Sequence, residues 1–214
     1  MRPAIERGET MTAIKRLWHT LCHPFSGFGD CVEQRYFPVS HVLLLLLIFF
    51  GGSIAARQLS GFLFNYNNPD TLNILLVFCS TVGLFLLWCG ANWAITTLFD
   101  GKGTFRQIIY VSAVSLIPYI AGQWVETLFS NFLLPEEAPF LIILRCAVIL
   151  YSVFVLVCAL VTIHEYTLGR VVWSTLFTLG FIAIVLFLAV IVFSLFQQSF
   201  GFFKDIYNEF TFMV

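Results

Sequence analysis

The residues whose types could do chemistry are few, and they lie in two short segments and at one isolated position. The first segment reads DGKGTFR over residues 100–106, and its charged side chains are Asp100, Lys102 and Arg106. Glycines that adopt positive φ beside free cations are a composition that a phosphate or a lipid headgroup could use. The second segment is His164-Glu165-Tyr166, where a titratable pair beside a phenol could serve a proton relay. Asp100 together with His164 and Glu165 could alternatively form the centre of an intramembrane enzyme.

Arg145 is the isolated position, because it lies inside a long apolar stretch. A charge within a membrane span is costly and is usually paired or functional. Arg145 follows Pro139 by about 9 Å of helix at 1.5 Å per residue, so its side chain could reach the membrane surface. If it does not, Glu126 is the expected partner, with Glu136 and Glu137 as alternatives, and a substrate contact is the functional alternative.

Both segments also have a plain structural interpretation. The G-x-x-x-x-G-K-[ST] spacing of a nucleotide-binding loop is absent from residues 100–106, and glycines after an aspartate are typical of a tight turn. We therefore expect a structural turn in which Lys102 and Arg106 fix topology and contact anionic lipid. The segment from His164 to Tyr166 is expected to cap a helix and anchor it at the membrane surface, because the spans offer almost no further ionisable groups for a relay.

Three more candidate residues lie within apolar stretches. Asn92 and Trp93 offer a polar bridge and an interfacial anchor, and Pro118 is expected to kink its helix. Together with Arg145 they could surround an internal cavity of a small transporter or lipid-handling protein. A polar cavity continuous across the bundle would favour that alternative.

No cofactor and no metal is expected. Suitable donor atoms occur at His19, Cys22, His23 and Cys31, but their spacing is not that of a recognised zinc site. No nucleophile motif accompanies the serines and cysteines. A net charge of −1 argues against a nucleic-acid partner.

The elements that position these residues are membrane helices. Hydrophobic residues make up 59% of the 214-residue chain and charged residues 11%, against roughly 25% charged in soluble domains. Lipid offers no partner for backbone N–H and C=O groups, so each span must be a helix. The expected fold is an all-α integral membrane protein with five transmembrane helices, at Val39–Leu59, Leu72–Leu98, Ile108–Leu128, Pro139–Ile163 and Val171–Phe196.

Lysine and arginine are distributed unequally between the two sides that five spans define. With the N-terminus inside, only Arg57 and Lys204 lie outside, while the cytoplasmic side holds Arg2, Arg7, Lys15, Arg16, Arg35, Lys102, Arg106 and Arg170. The positive-inside rule therefore predicts a cytoplasmic N-terminus and an extracytoplasmic C-terminus.

Both ends of the chain carry amphipathic helical patterns. Residues 11–22 place Trp18 among apolar residues and Lys15 and Arg16 on the other side, as expected of a helix on an anionic inner leaflet. Residues 203–210 repeat apolar side chains at i, i+3, i+4 and i+7, which predicts a second interfacial helix on the outer leaflet. Packing against the bundle is the alternative for both. The predicted divisions are a cytoplasmic segment 1–38, a transmembrane domain 39–197 and an extracytoplasmic tail 198–214.

Several short motifs occur in an order that resembles a known family. They are His23-Pro24-Phe25 with Gly27-Phe28, Asn92-Trp93, Asp100-Gly101-x-Gly103-x-Phe105, Pro118-Tyr119 and His164-x-Tyr166-x-x-Gly169. This order is similar to that of the bacterial branch of the Yip-domain family, whose members are small five-span membrane proteins. The similarity extends from about His23 to Asn208.

What the resemblance implies about function is modest. Eukaryotic members bind Rab-type (Ypt) GTPases and use a longer N-terminal region with an Asp-Leu-Tyr-Gly-Pro motif, which is absent from this sequence. Bacterial members can be encoded near carbohydrate ABC importers. The leading hypothesis is a non-enzymatic interaction or accessory subunit of the bacterial cell membrane, with an ABC-type importer as candidate partner. A small transporter or lipid-handling protein and an intramembrane enzyme are the alternatives.

Overall fold

The structure, a computed structural model, describes residues 13–65 and 72–212, with side chains from 14 to 65 and from 72 to 204. Every regular element in these ranges is helical. The α-helices are α1 Ala13–Cys22, α2 Pro24–Glu33, α3 Val39–Leu59, α4 Ile74–Phe78, α5 Leu84–Leu98, α6 Phe105–Ser115, α7 Ile117–Phe129, α8 Ala138–His164 and α9 Leu168–Phe212. A π-helical turn, Cys79–Gly83, joins α4 to α5, and a 3-10 turn, Pro135–Glu137, precedes α8.

Five helical stretches of the described chain are long and apolar enough to cross a membrane. They are Val39–Leu59, Ile74–Leu98, Phe105–Phe129, Pro135–His164 and Leu168–Lys204. The predicted all-α fold with five transmembrane helices is confirmed, and the first span has the predicted bounds. The largest difference is in the fifth span, which continues past Phe196.

Two of the spans are interrupted. In the second, the π-helical turn places Thr81 so that its hydroxyl donates to the Val77 carbonyl at 2.7 Å. In the third, α6 ends at Ser115 and α7 begins at Ile117 with Pro118 in its first turn, where the missing N–H of proline is tolerated. The regular helical pattern of the third span is therefore interrupted at Leu116, two residues before the proline that was expected to kink it.

Helix α6 lies at the centre of the bundle. Half of the most apolar stretch of the third span, 50%, is buried, whereas the corresponding fraction in the first, second and fourth spans is 22–33%. It packs against α3, α5 and α8, and Ile108, Tyr110 and Val111 on it are almost fully buried. Because lipid is as apolar as these side chains, close packing and hydrogen bonds hold the helices together.

The N-terminal helices form part of this packing. Helix α1 packs on α2, and α2 packs on α8. Phe28 and Cys31 of α2 are buried, and burial raises the pKa of the Cys31 thiol above its ordinary value. The Cys31 thiol is therefore neutral at physiological pH. Together, α1 and α2 form a layer that packs against one end of the bundle.

Helix α9 lies at the edge of the bundle and is continuous. It packs against α5 and α8, and only 6% of its most apolar stretch is buried. It runs unbroken from Leu168 to Phe212, so the amphipathic C-terminal segment is a continuation of the fifth span and not a separate helix after residue 197. Residues 197–203 contain one glycine and no proline, too little to stop a helix.

Candidate functional site

The two polar segments meet at one end of the bundle, which we call the His164 end. The Gly103 N–H donates to Nδ1 of His164 at 3.2 Å, and His164 is 2% exposed. Glu165 follows in the left-handed conformation, with φ 54°, and turns the chain back beside the loop. A Cβ atom at Gly101 or Gly103 would lie 2.6 or 2.7 Å from ring atoms of His164. Only glycine allows this approach of loop to ring.

Tyr166 holds the same loop in place. Its hydroxyl donates to the carbonyl oxygens of Phe99, at 2.9 Å, and Thr96, at 3.2 Å. Its ring stacks on that of His164 with centroids 5.2 Å apart, and the Arg170 guanidinium lies over it at 5.0 Å. Burial raises the pKa of the Tyr166 hydroxyl above its ordinary value, so the phenol keeps its proton at neutral pH and acts as a donor.

The charged members of the two segments add little to this arrangement. Lys102 Nζ lies 2.5 Å from Glu165 Oε2, but both side chains are about two-thirds exposed, 67% and 65%. Exposed pairs of this kind contribute about 0–1 kcal/mol. Asp100 is exposed and takes φ 55° at the turn. We call Gly101, Gly103, His164 and Tyr166 the interloop lock, because buried contacts between them join the α5–α6 loop to the α8–α9 connection.

The geometry at the His164 end does not assemble a reactive centre from Asp100, His164 and Glu165. Glu165 faces Lys102, and the His164 ring is covered by the Gly101–Gly103 backbone. Neither of the two cavities described below is lined by Asp100, His164 or Glu165. The expectation of a structural turn and a helix end fits these contacts better than the proton-relay and enzyme alternatives do.

The other predicted site residues towards the His164 end, Asn92, Trp93 and Arg106, are not part of the interloop lock. Arg106 Nε donates to the Phe37 carbonyl at 3.0 Å and so ties α6 to the α2–α3 connection. Asn92 is fully buried, yet neither atom of its amide has a partner among the described residues, so the expected polar bridge is not formed within that part of the chain. Trp93 is 46% exposed and meets the Phe105 ring edge to face at 5.9 Å.

Arg145 lies at the opposite end, which we call the Arg145 end, together with residues 60–65 and 130–137. Its Nε donates to Glu126 Oε2 at 3.1 Å, and its Nη2 forms a second, short contact to Oε1 of the same carboxylate. The pair is therefore bidentate, joins α8 to α7 and confirms Glu126 as the partner. Glu126 is the more buried member, with 20% of its side chain exposed against 62% for Arg145.

This ion pair lines a cavity of about 770 Å³ between α3, α4, α7 and α8. Its wall is polar over much of its surface, since it includes Arg57, Ser53, Ser60, Gln123, Thr127 and Ser130 besides the pair. Gln123 Nε2 donates to Ser53 Oγ at 3.2 Å, whereas Gln123 Oε1 is buried without a partner in the described part of the chain. The cavity is the candidate functional site.

A second cavity, of about 290 Å³, adjoins the first and reaches the middle of the bundle. The two share Phe49, Ser80 and Thr81 as lining residues. The second is bordered by the π-helical turn of the second span and by Ser115 and Leu116 at the break in the third. Asn92, Trp93 and Pro118 line neither cavity, so the structure does not bring them to Arg145 as the transporter alternative required.

Sequence reasoning missed most residues of this site. Ser53, Arg57 and Gln123 lie near the ends of apolar stretches and carry no motif. The available signal was the run Cys79-Ser80-Thr81 within an otherwise apolar span, because hydroxyl side chains that bond to the preceding turn disturb an α-helix. Single-turn π-helices inside α-helices often occur at functional positions.

The predicted membrane-interface residues lie on α1. Trp18 is 70% exposed, as the interfacial hypothesis requires, and Lys15 is exposed beside it. Arg16 differs, because its guanidinium lies 4.2 Å from the centroid of the Tyr36 ring and donates to Gln34 Oε1 at 2.7 Å. Lys15 is therefore the cation of this helix that is left for anionic lipid.

Replacing Trp18 by Phe should remove a large part of the tryptophan quenching caused by spin-labelled headgroups, because Trp18 is expected at headgroup depth. The measurement is fluorescence of the full-length protein in anionic vesicles. Trp88→Phe is the control, since Trp88 is half-buried and donates to Ser112 Oγ at 3.2 Å. Equal quenching of wild type and Trp18→Phe would show that α1 is not a membrane-binding helix.

These observations define the class of the protein, a multi-pass membrane protein of five spans with a glycine-packed lock at one end and a polar cavity at the other. A family model described as the Yip1 domain matches residues 18–196. The chain belongs to this family, as the order of its motifs predicted. Searches of curated proteins and of solved structures gave no match.

Proposed function

We propose that the protein is a non-enzymatic interaction subunit of the bacterial cytoplasmic membrane. The observation that carries the proposal is the length and exposure of α9. Its 45 residues correspond to about 68 Å at 1.5 Å per residue, whereas the hydrocarbon core of a bilayer is about 30 Å and the whole bilayer about 40–45 Å thick. Even with strong tilt, such a helix extends beyond the membrane.

Among the α9 side chains that the structure describes, those farthest from the α8–α9 connection include three exposed phenylalanines. Phe200, Phe202 and Phe203 are 74%, 64% and 68% exposed. Apolar side chains beyond the bilayer favour burial against another surface. A second membrane protein with an extracytoplasmic groove or helix supplies such a surface, which supports an interaction role. The outer leaflet is the competing surface, and it is an outcome of the test below.

The family resemblance stated above is the ground for a proposal about the partner. We propose an accessory role beside an ABC-type carbohydrate importer, with the transmembrane subunit of that importer in contact with α9. We propose a cytoplasmic N-terminus and an extracytoplasmic tail 198–214, because lysine and arginine are in excess on the side of the N-terminus. The interloop lock and the neighbouring Lys102 then face the cytoplasm, and the cavity at the Arg145 end faces outward.

Photo-crosslinking from α9 tests the partner. With p-benzoylphenylalanine at Phe203, we expect one crosslinked product that contains another membrane protein, identified by mass spectrometry as an importer subunit. The same probe at Phe140, which is 54% exposed on α8, is the matched control and should give no such product. Crosslinks to lipid alone at Phe203, or the same products at both positions, would contradict the interaction role.

Cysteine labelling tests the orientation separately. On a cysteine-free background, Glu136→Cys should react with a membrane-impermeant maleimide added to whole cells, whereas Lys102→Cys should react only after permeabilisation. The reason is the excess of lysine and arginine on the side of Lys102. Both wild-type side chains are exposed, so lack of access cannot be caused by burial in the protein. Labelling of Lys102→Cys in intact cells would show that the protein has the opposite orientation in the membrane.

A further inference from the structure

We propose that the two adjoining cavities bind one glycerophospholipid, with its phosphate in the polar cavity at the Arg145 end and an acyl chain in the smaller cavity. This goes beyond the interaction role of α9, because no α9 residue is among the described residues that line either cavity and neither role requires the other.

The lining of the polar cavity carries an excess positive charge. Among the residues that the structure describes, the lining holds two cations, Arg57 and Arg145, and one carboxylate, Glu126, which leaves one positive charge in excess. Glu126 is already engaged by Arg145. Arg57 forms no ion pair or side-chain hydrogen bond with any residue that the structure describes. A phosphodiester supplies the missing negative charge and accepts hydrogen bonds from a guanidinium in bidentate geometry.

The depth of Arg57 suits a lipid phosphate. It lies two residues before the end of α3 at Leu59, about 3 Å along the helix axis. This is the level at which a span meets the headgroup region. Gln123 Oε1, the buried acceptor without a partner in the described chain, lines the same cavity. A headgroup that carries an amine or hydroxyl hydrogen, such as ethanolamine or glycerol, could donate to it.

The smaller cavity has the chemistry of a hydrocarbon site. Its wall is mainly apolar, with Phe49, Leu84, Phe85, Trp88 and Leu156 among its residues. Most of its hydroxyl groups are already used within the protein. Ser80 and Thr81 donate to the Val77 carbonyl and Ser115 to that of Val111, while Ser112 accepts from Trp88. Ser152 Oγ is the exception among the lining hydroxyls, with no partner in the described chain.

Position and access complete the match to an acyl chain. The smaller cavity lies at the middle of the second, third and fourth spans, and it joins the polar cavity through Phe49, Ser80 and Thr81. Leu84 and Val153 at its border are 46% and 51% exposed on the bundle surface, so a chain could enter sideways from the bilayer. One amphipathic molecule, charged at one end and apolar at the other, fits both spaces where a free anion fits only one.

Native mass spectrometry of the delipidated full-length protein tests the site. The probe is palmitoyl-oleoyl phosphatidylglycerol, compared with a diacylglycerol of the same chains and with glycerol phosphate. We expect one bound phosphatidylglycerol per protein and much weaker binding of the diacylglycerol and of glycerol phosphate. Arg57→Gln should lower the bound fraction about tenfold, the effect of losing about 1.4 kcal/mol, whereas Arg35→Gln, which removes an exposed cation at the other end, should leave it unchanged.

A variant of the smaller cavity separates a lipid from a free phosphate. Val153→Trp adds bulk at an exposed position on its border, so the bundle should still fold, which the melting temperature checks. It should weaken phosphatidylglycerol binding and leave any glycerol phosphate binding intact. The proposal is overturned if no lipid adduct forms, if Arg57→Gln binds like wild type, or if Val153→Trp has no effect. Glycerol phosphate bound as tightly as the lipid would indicate a free-anion site instead.

Discussion

Replacing Gly101 by Ala is expected to destabilise the bundle by about 2 kcal/mol, the cost typical of overpacking in a close-packed interior. A Cβ at this position would lie 2.6 Å from His164 Nδ1, 2.8 Å from the Tyr166 hydroxyl and 2.9 Å from the Thr96 carbonyl oxygen. These three atoms surround it, and one of them belongs to the backbone. The melting temperature in detergent should fall by about 4–8 °C for a chain of this size.

The matched control for this change is Gly90→Ala. Gly90 lies within α5, and a Cβ there would meet no atom within 4 Å. Alanine in a helix interior is more favourable than glycine by about 0.5–1 kcal/mol, so this variant should melt at or above the wild-type temperature. If Gly101→Ala also melted at or above it, the close approach of the interloop lock would not exist in solution.

A charge variant compares the interloop lock with the exposed ion pair beside it. Lys102→Met removes the exposed pair with Glu165, and we expect a change within about 1 kcal/mol. The buried contacts of Gly101, Gly103, His164 and Tyr166 would remain. A loss as large as that of Gly101→Ala would place the stabilising interaction in the ion pair and not in the backbone approach. The measurement is again thermal melting.

The sequence could predict the lock only in part. Glycines beside Asp100 indicated a turn, and the end of an apolar stretch indicated that His164 lies near a helix end. That His164 accepts from the Gly103 N–H, and that Tyr166 closes over the loop, depends on how α5 and α8 sit beside α6. This is a tertiary relation between residues more than sixty positions apart, and no local pattern contains it.

The spans were predictable because the bilayer sets both their length and their composition. Each needs about 20 apolar residues and must be helical, so hydropathy alone located Val39–Leu59 to the residue. The polar cavity was not predictable in the same way. Its lining comes from α3, α7 and α8 and from the α4 region of the second span, and the apolar runs of single helices contain no record of the spaces between helices.

The amphipathic patterns predicted helical structure correctly, but they did not predict whether each side chain contacts lipid or protein. The pattern of residues 11–22 indicated an exposed Trp18, and α1 exposes it. It also assigned Arg16 to lipid, whereas Arg16 lies against Tyr36, because a long cationic side chain can turn to the protein as easily as to the membrane. The C-terminal pattern correctly indicated a helix. It did not show that this helix continues α9, which follows from the lack of a helix-breaking residue between the two.

The ion pair between Arg145 and Glu126 should show an asymmetric response to mutation. Arg145→Met leaves the less exposed Glu126 carboxylate without a partner in the cavity, and we expect a loss of about 1–2 kcal/mol, near the lower end of the range for hydrogen bonds to charged groups. Glu126→Gln leaves Arg145, whose side chain is 62% exposed and can turn to the membrane surface. Its loss should be smaller.

The double variant decides whether the two residues interact in the membrane-embedded protein. Arg145→Met combined with Glu126→Gln removes both charges, so the cost of an unpaired carboxylate disappears and part of the stability should return. Arg35→Met, at an exposed arginine without an ion pair among the described residues, controls for loss of charge and should change little. The readout is thermal melting in lipid nanodiscs. Strictly additive losses of stability would mean that the Arg145 side chain turns to the membrane surface and does not contact Glu126. If Arg145→Met unfolded completely and only Arg145→Lys restored the fold, a cation at this position would be obligatory.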